Sequence, residues 1–311
     1  MISLRAPAKI NLFLRVGERR PDGYHDIESV MQMVGLYDVV SLRPRRRGIA
    51  VRVQGADLPV GSGNLVYDAT AALAKEAGIA AGASIRLTKH IPIGAGLGGG
   101  SSDAAATLIA LNRLWGLRWP RVRLAELGAA LGSDVPFFFH GPTAWVTGRG
   151  EQARRIARPQ LVGEACPSGW AVLVNPGFAV STRWAFEALQ ARSAPLARRS
   201  REAPEHGGLS AIIGLTNHRS ADTIPPFPGA PALASCPVEN SLESVTVLEY
   251  PVIEEMKRRL RDAGASVALM SGSGPTVFGL FPSRADARRA HAGLPHAWKG
   301  WLVKLLRRVP W

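Results

Sequence analysis

"PIGAGLGGGSSDAAA", residues 92–106, is the stretch on which the fold turns. Glycine and serine crowd a segment that runs straight into alanines. A flexible linker would use such residues, and so would a loop whose backbone must touch a ligand. The flanks separate the two. Before the glycines, "ASIRLTKHIP" (83–92) alternates as a strand and stops at proline. After them, "SSDAAATLIALNRLWG" (101–116) is Ala-rich, with Leu108, Leu111 and Leu114 at helical spacing. The segment is therefore a turn between a strand and a helix. Its glycines let the backbone approach a ligand closely. The first N–H groups of the helix lack intrahelical acceptors and, with the aligned dipole, make an anion site. The spacing predicts a helix start at Ser101 and Ser102, with hydroxyls that can bond phosphate or approach a bound Mg2+, and Asp103 in the first turn.

Three known phosphate loops fail on this stretch. No Lys follows the glycines, so the Gly-x4-Gly-Lys-Ser/Thr pattern is absent. Gly94, Gly96 and Gly99 match a dinucleotide fingerprint in form, but Trp119 and Pro120 stand where an acidic residue is needed roughly 20 positions on. Neither His-Arg-Asp nor Asp-Phe-Gly occurs, which removes the protein-kinase loop.

Outward from the loop, 311 residues are enough for two domains. A hydrophobic share of 46% and a charged share of 20% are those of a globular chain with a sizeable core. The net charge is +14, yet the arginines are scattered (Arg45–Arg47, Arg154, Arg155, Arg258, Arg259, Arg307, Arg308) with no aromatic-interleaved stripe. A solvated Arg-rich surface is expected, and no nucleic-acid partner. Cys166 and Cys236 sit in no metal-binding or redox spacing, so neither a disulfide framework nor a zinc site is expected. The histidines other than His25 show no ligand spacing. The N-terminus carries no signal-peptide pattern and no apolar run approaches about 18 residues. A soluble cytoplasmic protein without a membrane partner is expected.

Residues 3–16, 28–43 and 49–54 read as strands of one sheet, joined by the tight turn in "ERRPDGYHDI" (18–27). Helices are expected at 64–78 and 123–132 and a strand at 143–148. The pattern restarts after about residue 155 with a strand at 170–176 and a helix at 182–191. Residues 192–235, rich in Pro, Ala, Ser and Gly, read as an irregular insertion. "YPVIEEMKRRLRDAG" (250–264) has acids early, bases late and a closing glycine, as the helix dipole favours. "VALMSG" and "TVFGLF" are strands around "SGSGP" (271–275). Ser283 caps a helix over 283–293, and 300–308 is a last strand. This second series is close to a ferredoxin-like unit.

Several polar residues stand out. Asp134 in "LGSDVPFF" reads equally as a cap for the segment that follows and as a free carboxylate. Lys9 in the apolar strand "AKINLFL" is a snorkelling side chain or, amid such neighbours, a paired group. Asn11 shares its strand face and carries both an amide donor and an acceptor. Tyr24 and His25 follow the tight turn, as sheet-packed aromatics or as groups for a flat ring.

The glycine loop resembles the nucleotide loop of the GHMP kinases. "PAKINLFL" (7–14), "RPDGYH" (20–25), "LGSDVPFF" (131–138), "GRGE" (148–151), "ENSLE" (239–243) and "MSGSGPTVF" (270–278) recur in the order of one branch of that family. That branch phosphorylates the 2-hydroxyl of a cytidine-diphosphate-linked methylerythritol in the non-mevalonate route to isoprenoids. The resemblance implies an α+β, two-domain GHMP kinase fold. Residues 1–155 would be ribosomal-protein-S5-like and residues 156–311 ferredoxin-like. It implies ATP and Mg2+ as cofactors, a small-molecule substrate, and a monomer or homodimer. ATP would lie on Pro92, Ile93, Gly94, Ala95, Gly96, Leu97, Gly98, Gly99, Gly100, Ser101 and Ser102. Asp134 would take the hydroxyl proton beside Lys9. Asn11, Tyr24, His25, Thr182 and Phe186 would bind the substrate, and the 271–275 turn would close the cleft. Ser241 departs from the pattern, since many members carry Asp there. Homoserine and mevalonate kinases are the neighbouring alternative, and an RNA-binding module built on the same first-domain fold is a remote one.

Overall fold

The computed structural model describes residues 1–156, 169–201 and 238–311. Cys166, Cys236, His206, His218 and residues 202–235 of the expected insertion lie outside the described residues.

Two long strands organise the first half. The apolar N-terminus forms β1 (Ile2–Arg19), which the Pro-Asp-Gly turn reverses into β2 (His25–Arg45). The turn works because Gly23 takes φ +86° and Asp22 Oδ1 accepts from the Tyr24 amide at 3.1 Å. β1 pairs antiparallel with β2, with bulges between Pro7 and Ala8, Asn11 and Phe13, and Val16 and Arg19. The first half of β2 pairs with β5 (Thr143–Thr147) and its second half with β4 (Gly82–Thr88). β3 (Ile49–Gln54) runs parallel to β4, and β6 (Gln152–Arg155) follows β5 at the edge.

Four helices belong to this half: α1 (Leu65–Glu76), α2 (Gly99–Leu114), α3 (Arg121–Ala129) and α4 (Phe137–His140). α2 is buried from Ser102 through Leu111, as a helix apolar on all sides should be. Its Ala104–Ala106 run lets it lie close to the sheet, with Leu108 and Leu111 in a core shared with Val40, Leu42, Ile85 and Phe138.

The second half contains β7 (Trp170–Asn175), α5 (Thr182–Arg201), α6 (Glu243–Glu249), α7 (Val252–Asp262), β8 (Val267–Met270), β9 (Val277–Phe281), α8 (Arg284–Ala292) and β10 (Lys299–Lys304). Its sheet is antiparallel in the order β10-β7-β9-β8, the ferredoxin-like arrangement of fourth, first, third and second strands. Ser283 Oγ accepts from the Asp286 amide at 3.1 Å, the cap its spacing predicts. The fold is α+β, as expected.

Three elements escape the sequence patterns. β6 ("QARR") is an exposed edge strand with no apolar alternation, α4 is too short to show a period, and α6 ("ESVTVLE") is rich in β-branched residues. α5 also continues through Arg201, so residues 192–201 are helical instead of irregular. Pro195, which forfeits a helix hydrogen bond, hides this extension.

The two sheets meet over β1. Ala8, Ile10, Leu12 and Phe13 pack with Leu173, Phe278, Leu280 and Val303 in one apolar cluster, while Leu4 and Ala6 join the helix-covered core. The middle of β1 is thus held from both sides, which fixes any polar group it carries.

Candidate active site

The glycine loop follows β4 as expected, but the helix begins earlier. Gly98, at φ +65°, is the N-cap of α2, and Gly99 is its first residue. The Ser102 amide donates to the Gly98 carbonyl at 2.9 Å, so the N–H groups of Gly99, Gly100 and Ser101 are the ones without intrahelical acceptors. The expected start at Ser101–Ser102 is corrected by two residues, because glycine at Gly98 supplies the left-handed turn that lets the helix start there. Asp103 consequently falls outside the first turn, which holds no acid. Its side chain is 2% exposed and accepts a 2.6 Å bond from Lys89 Nζ. The carboxylate thus serves an interior lysine, and the helix start stays free of negative charge.

Lys9 and Asp134 come together at the floor of the same cleft. Lys9 Nζ lies 3.3 Å from Asp134 Oδ2 and donates to Asn11 Oδ1 at 2.7 Å. Asn11 Nδ2 in turn donates to Ser29 Oγ at 2.8 Å, and Ser29 donates to the Phe13 carbonyl at 2.6 Å. Asn11 is 1% exposed. Its amide oxygen accepts from Lys9 and one amide hydrogen goes to Ser29, so it supports the ammonium while also lining the cavity. Asp134 does not cap α4, whose N-cap is Pro136. Its side chain keeps 29% exposure toward the cleft.

The loop is joined to the second half by the 271–275 turn. Ser271 Oγ donates to the Gly96 carbonyl at 2.9 Å and accepts from the Asn11 amide at 3.3 Å. Asn240 of "ENSLE" donates to the carbonyls of Met270 (2.8 Å) and Gly272 (2.7 Å), holding this turn from behind. Ser241 Oγ accepts from the Val16 amide at 3.2 Å.

At the other end of the cleft, His25 and Phe186 face each other at 5.5 Å between ring centroids. Tyr24 is 52% exposed, with the Arg149 guanidinium 5.1 Å from its ring. His25 Nδ1 lies 3.2 Å from the Gly17 carbonyl. A carbonyl only accepts, so Nδ1 carries the proton and a neutral ring leaves Nε2 as an acceptor. Thr182 bonds Ser273 at 3.0 Å, hydroxyl to hydroxyl.

One cavity of about 1050 Å³ is lined by Lys9, Asn11, Tyr24, His25, Asp134, Thr182 and Phe186 and by the loop from Pro92 to Ser101. Ser102 is the exception among the candidate residues: it is fully buried beneath the loop, and its Oγ has no hydrogen-bond partner. Lys89, Asp103 as Lys89's partner, and Arg149 are among the lining residues that the sequence does not single out. Arg149 lay within the quoted "GRGE".

Burial pushes the Asp103 carboxyl up to about 8, with the nearby Asp38 carboxylate adding to the rise and Lys89 opposing it. In an unfolded chain the group titrates near the ordinary value of about 4. Between these values the folded chain keeps a proton that the unfolded one has lost. Stability should therefore fall as pH rises from about 4 to about 8 and level off above. Asp103→Asn should remove this slope, so that denaturant titrations show it gaining on the wild type from about pH 5 to about pH 8. Parallel curves would contradict the assignment.

Comparison with known proteins shows the family. Residues 64–142 match the GHMP kinases N terminal domain, and residues 230–300 match the GHMP kinases C terminal domain. The chain is 41% identical to the 4-diphosphocytidyl-2-C-methyl-D-erythritol kinase of Syntrophus aciditrophicus, over 98% of this chain and 99% of that protein. It is 44% identical to that of Pelotomaculum thermopropionicum, over 94% and 93%. A crystal structure of 4-(cytidine 5'-diphospho)-2C-methyl-D-erythritol kinase superposes with a TM-score of 0.72 at 32% identity, covering 98% of this chain and 99% of that one. Homoserine kinase from Cytophaga hutchinsonii shares the fold, with a TM-score of 0.68 at 18% identity. Matched over nearly its whole length by such relatives, the chain belongs to the 4-diphosphocytidyl-2-C-methyl-D-erythritol kinase family of the GHMP kinases.

Proposed function

We propose that the chain transfers the γ-phosphate of ATP to the 2-hydroxyl of 4-diphosphocytidyl-2-C-methyl-D-erythritol, giving the 2-phosphate and ADP. The observation that carries this is the Lys9–Asp134 pair, set beside a glycine loop whose helix start offers free amides. ATP lies on residues 92–101, with its phosphates at the amides of Gly99, Gly100 and Ser101. The Asp134 carboxylate accepts the proton of the 2-hydroxyl. The oxygen bonds to the γ-phosphorus as the bond to the β-phosphate oxygen breaks, and ADP leaves. Lys9, held by Asn11, keeps Asp134 in place and stabilises negative charge as it moves toward the phosphate oxygens.

Mg2+ would neutralise phosphate charge during transfer. The described residues hold no group of three His, Cys, Asp or Glu that could hold a metal ion, and the helix start brings Ser101 to the cavity, with the unpartnered Ser102 hydroxyl buried behind it. This donor set fits an ion carried mainly by the nucleotide's own phosphates.

The far end of the cavity suits a pyrimidine. Tyr24 and Phe186 give ring faces for stacking, and His25 Nε2 is an acceptor for the amino group of cytosine. This end separates a cytidine substrate from homoserine or mevalonate, which have no ring to stack. Phe186→Ala should raise KM for the cytidylylated substrate about tenfold or more and leave KM for ATP unchanged, since stacking on one base contributes about 1–3 kcal/mol. Steady-state assays of ADP release with each substrate varied in turn check this. Equal effects on both KM values would place the pyrimidine elsewhere.

A further inference from the structure

The phosphate-transfer chemistry makes no use of a buried charged cluster under the glycine loop. Asp38, on β2, is fully buried. Its Oδ1 accepts from the amides of His90 (2.5 Å) and Ile91 (2.9 Å), the residues just ahead of the loop. Its Oδ2 accepts from Lys89 Nζ. The same ammonium donates to Asp103 Oδ2 at 2.6 Å, on the helix that leaves the loop. A Cβ placed on Gly99 would lie 3.3 Å from Lys89 Nζ, so the ammonium sits directly under the first residue of α2. One cation therefore ties the central sheet, the entry of the loop and its exit.

Such a cluster is a poor device for stability alone. Burying the Asp38 carboxylate, the Asp103 carboxyl and one ammonium costs about as much as their attraction returns, and apolar side chains would hold the same space at least as well. Directional bonds do what apolar packing cannot: they set the spacing of two chain segments. We propose that Lys89 and Asp103 are positioning residues for the nucleotide, fixing the entry of the glycine loop against the first turn of α2 so that its free amides converge on the phosphates. This rests on the assignment of the loop to ATP made above.

Asp103→Ala tests it without leaving an unpaired charge, because Lys89 and Asp38 remain a one-to-one pair and alanine suits a helix interior. Asp103→Asn keeps an oxygen that accepts from Lys89. In Asp103→Ala, KM for ATP and Kd for a non-hydrolysable ATP analogue should both rise about tenfold. KM for the cytidylylated substrate should stay at its wild-type value. Asp103→Asn should restore both nucleotide constants to within about twofold of wild type. Unchanged nucleotide affinity in Asp103→Ala would overturn the proposal, and so would equal losses in the two variants. A parallel rise of both KM values with a lowered Tm would also overturn it, by showing general loosening. Wild-type protein that binds no ATP analogue would overturn the ATP assignment itself, and this inference with it.

Discussion

Asp134→Asn should yield a protein that folds, melts near the wild-type temperature and binds nucleotide, with kcat lowered by about three orders of magnitude. The fold should survive because Asp134 does little structural work. It caps no helix, its side chain is part exposed, and its ion pair is with Lys9 at 3.3 Å. Asparagine keeps the shape, and Lys9 keeps its bond to Asn11 Oδ1. The new amide cannot take a proton. The 2-hydroxyl would then lose its proton to water or to the phosphate itself. KM for ATP should stay within about threefold, because the proposed nucleotide site is made by the amides of α2 and not by Asp134. Calorimetric titration of an ATP analogue, with kcat from ADP release, separates the two effects. A variant with kcat within about tenfold of wild type would remove Asp134 as the proton acceptor and leave positioning and charge as the whole of catalysis.

The parts of this site differ in how openly the sequence displays them. The glycine loop is visible because its function needs consecutive small residues between a strand and a helix, a local pattern. Lys9 is visible as a charge inside an apolar strand, and Asp134 becomes a catalytic candidate only through family resemblance, since its local pattern fits a cap equally well. The Asp38–Lys89 pair is a different case. Leu36, Asp38, Val40 and Leu42 share one buried face of β2, and Ile85 and Leu87 share one of β4, which Lys89 continues one residue past the strand's end. Strand alternation alone therefore turns both charges inward. Their partnership needs the register, in which Val39 pairs with Thr88 and Val40 with Leu87. That places Asp38 beside Lys89, and register is a property of the folded sheet. The sequence places the helix start two residues late because serine is a commoner cap than glycine. Gly98 serves both for close approach and as the residue that begins the helix.

Gly96→Ala is the substitution that should damage the molecule most for one added methyl group. Gly96 has φ +74°, and a Cβ there would lie 2.0 Å from the Ser271 carbonyl oxygen and 3.1 Å from the Gly274 nitrogen. Both are backbone atoms, so no side chain can rotate away. The loop and the 271–275 turn would have to separate. That breaks the bond from Ser271 Oγ to the Gly96 carbonyl and strains the one from the Asn11 amide, which stands next to the support of Lys9. Left-handed backbone costs alanine about 1–2 kcal/mol, and the clash adds about 1–3 kcal/mol. Tm should fall by about 4–20 °C at some 2–4 °C per kcal/mol. KM for ATP should rise by up to about a hundredfold, because the amides no longer converge. Gly78→Ala is the matched control. Gly78 also has positive φ (+63°), but nothing lies within 4 Å of its added Cβ. It should show the backbone cost alone, a Tm loss of a few degrees and unchanged kinetics. Gly96→Ala must exceed it on both counts if the glycine loop and the second half of the chain act as one nucleotide site. Equal losses in the two variants would mean that contact between them contributes nothing to either stability or binding.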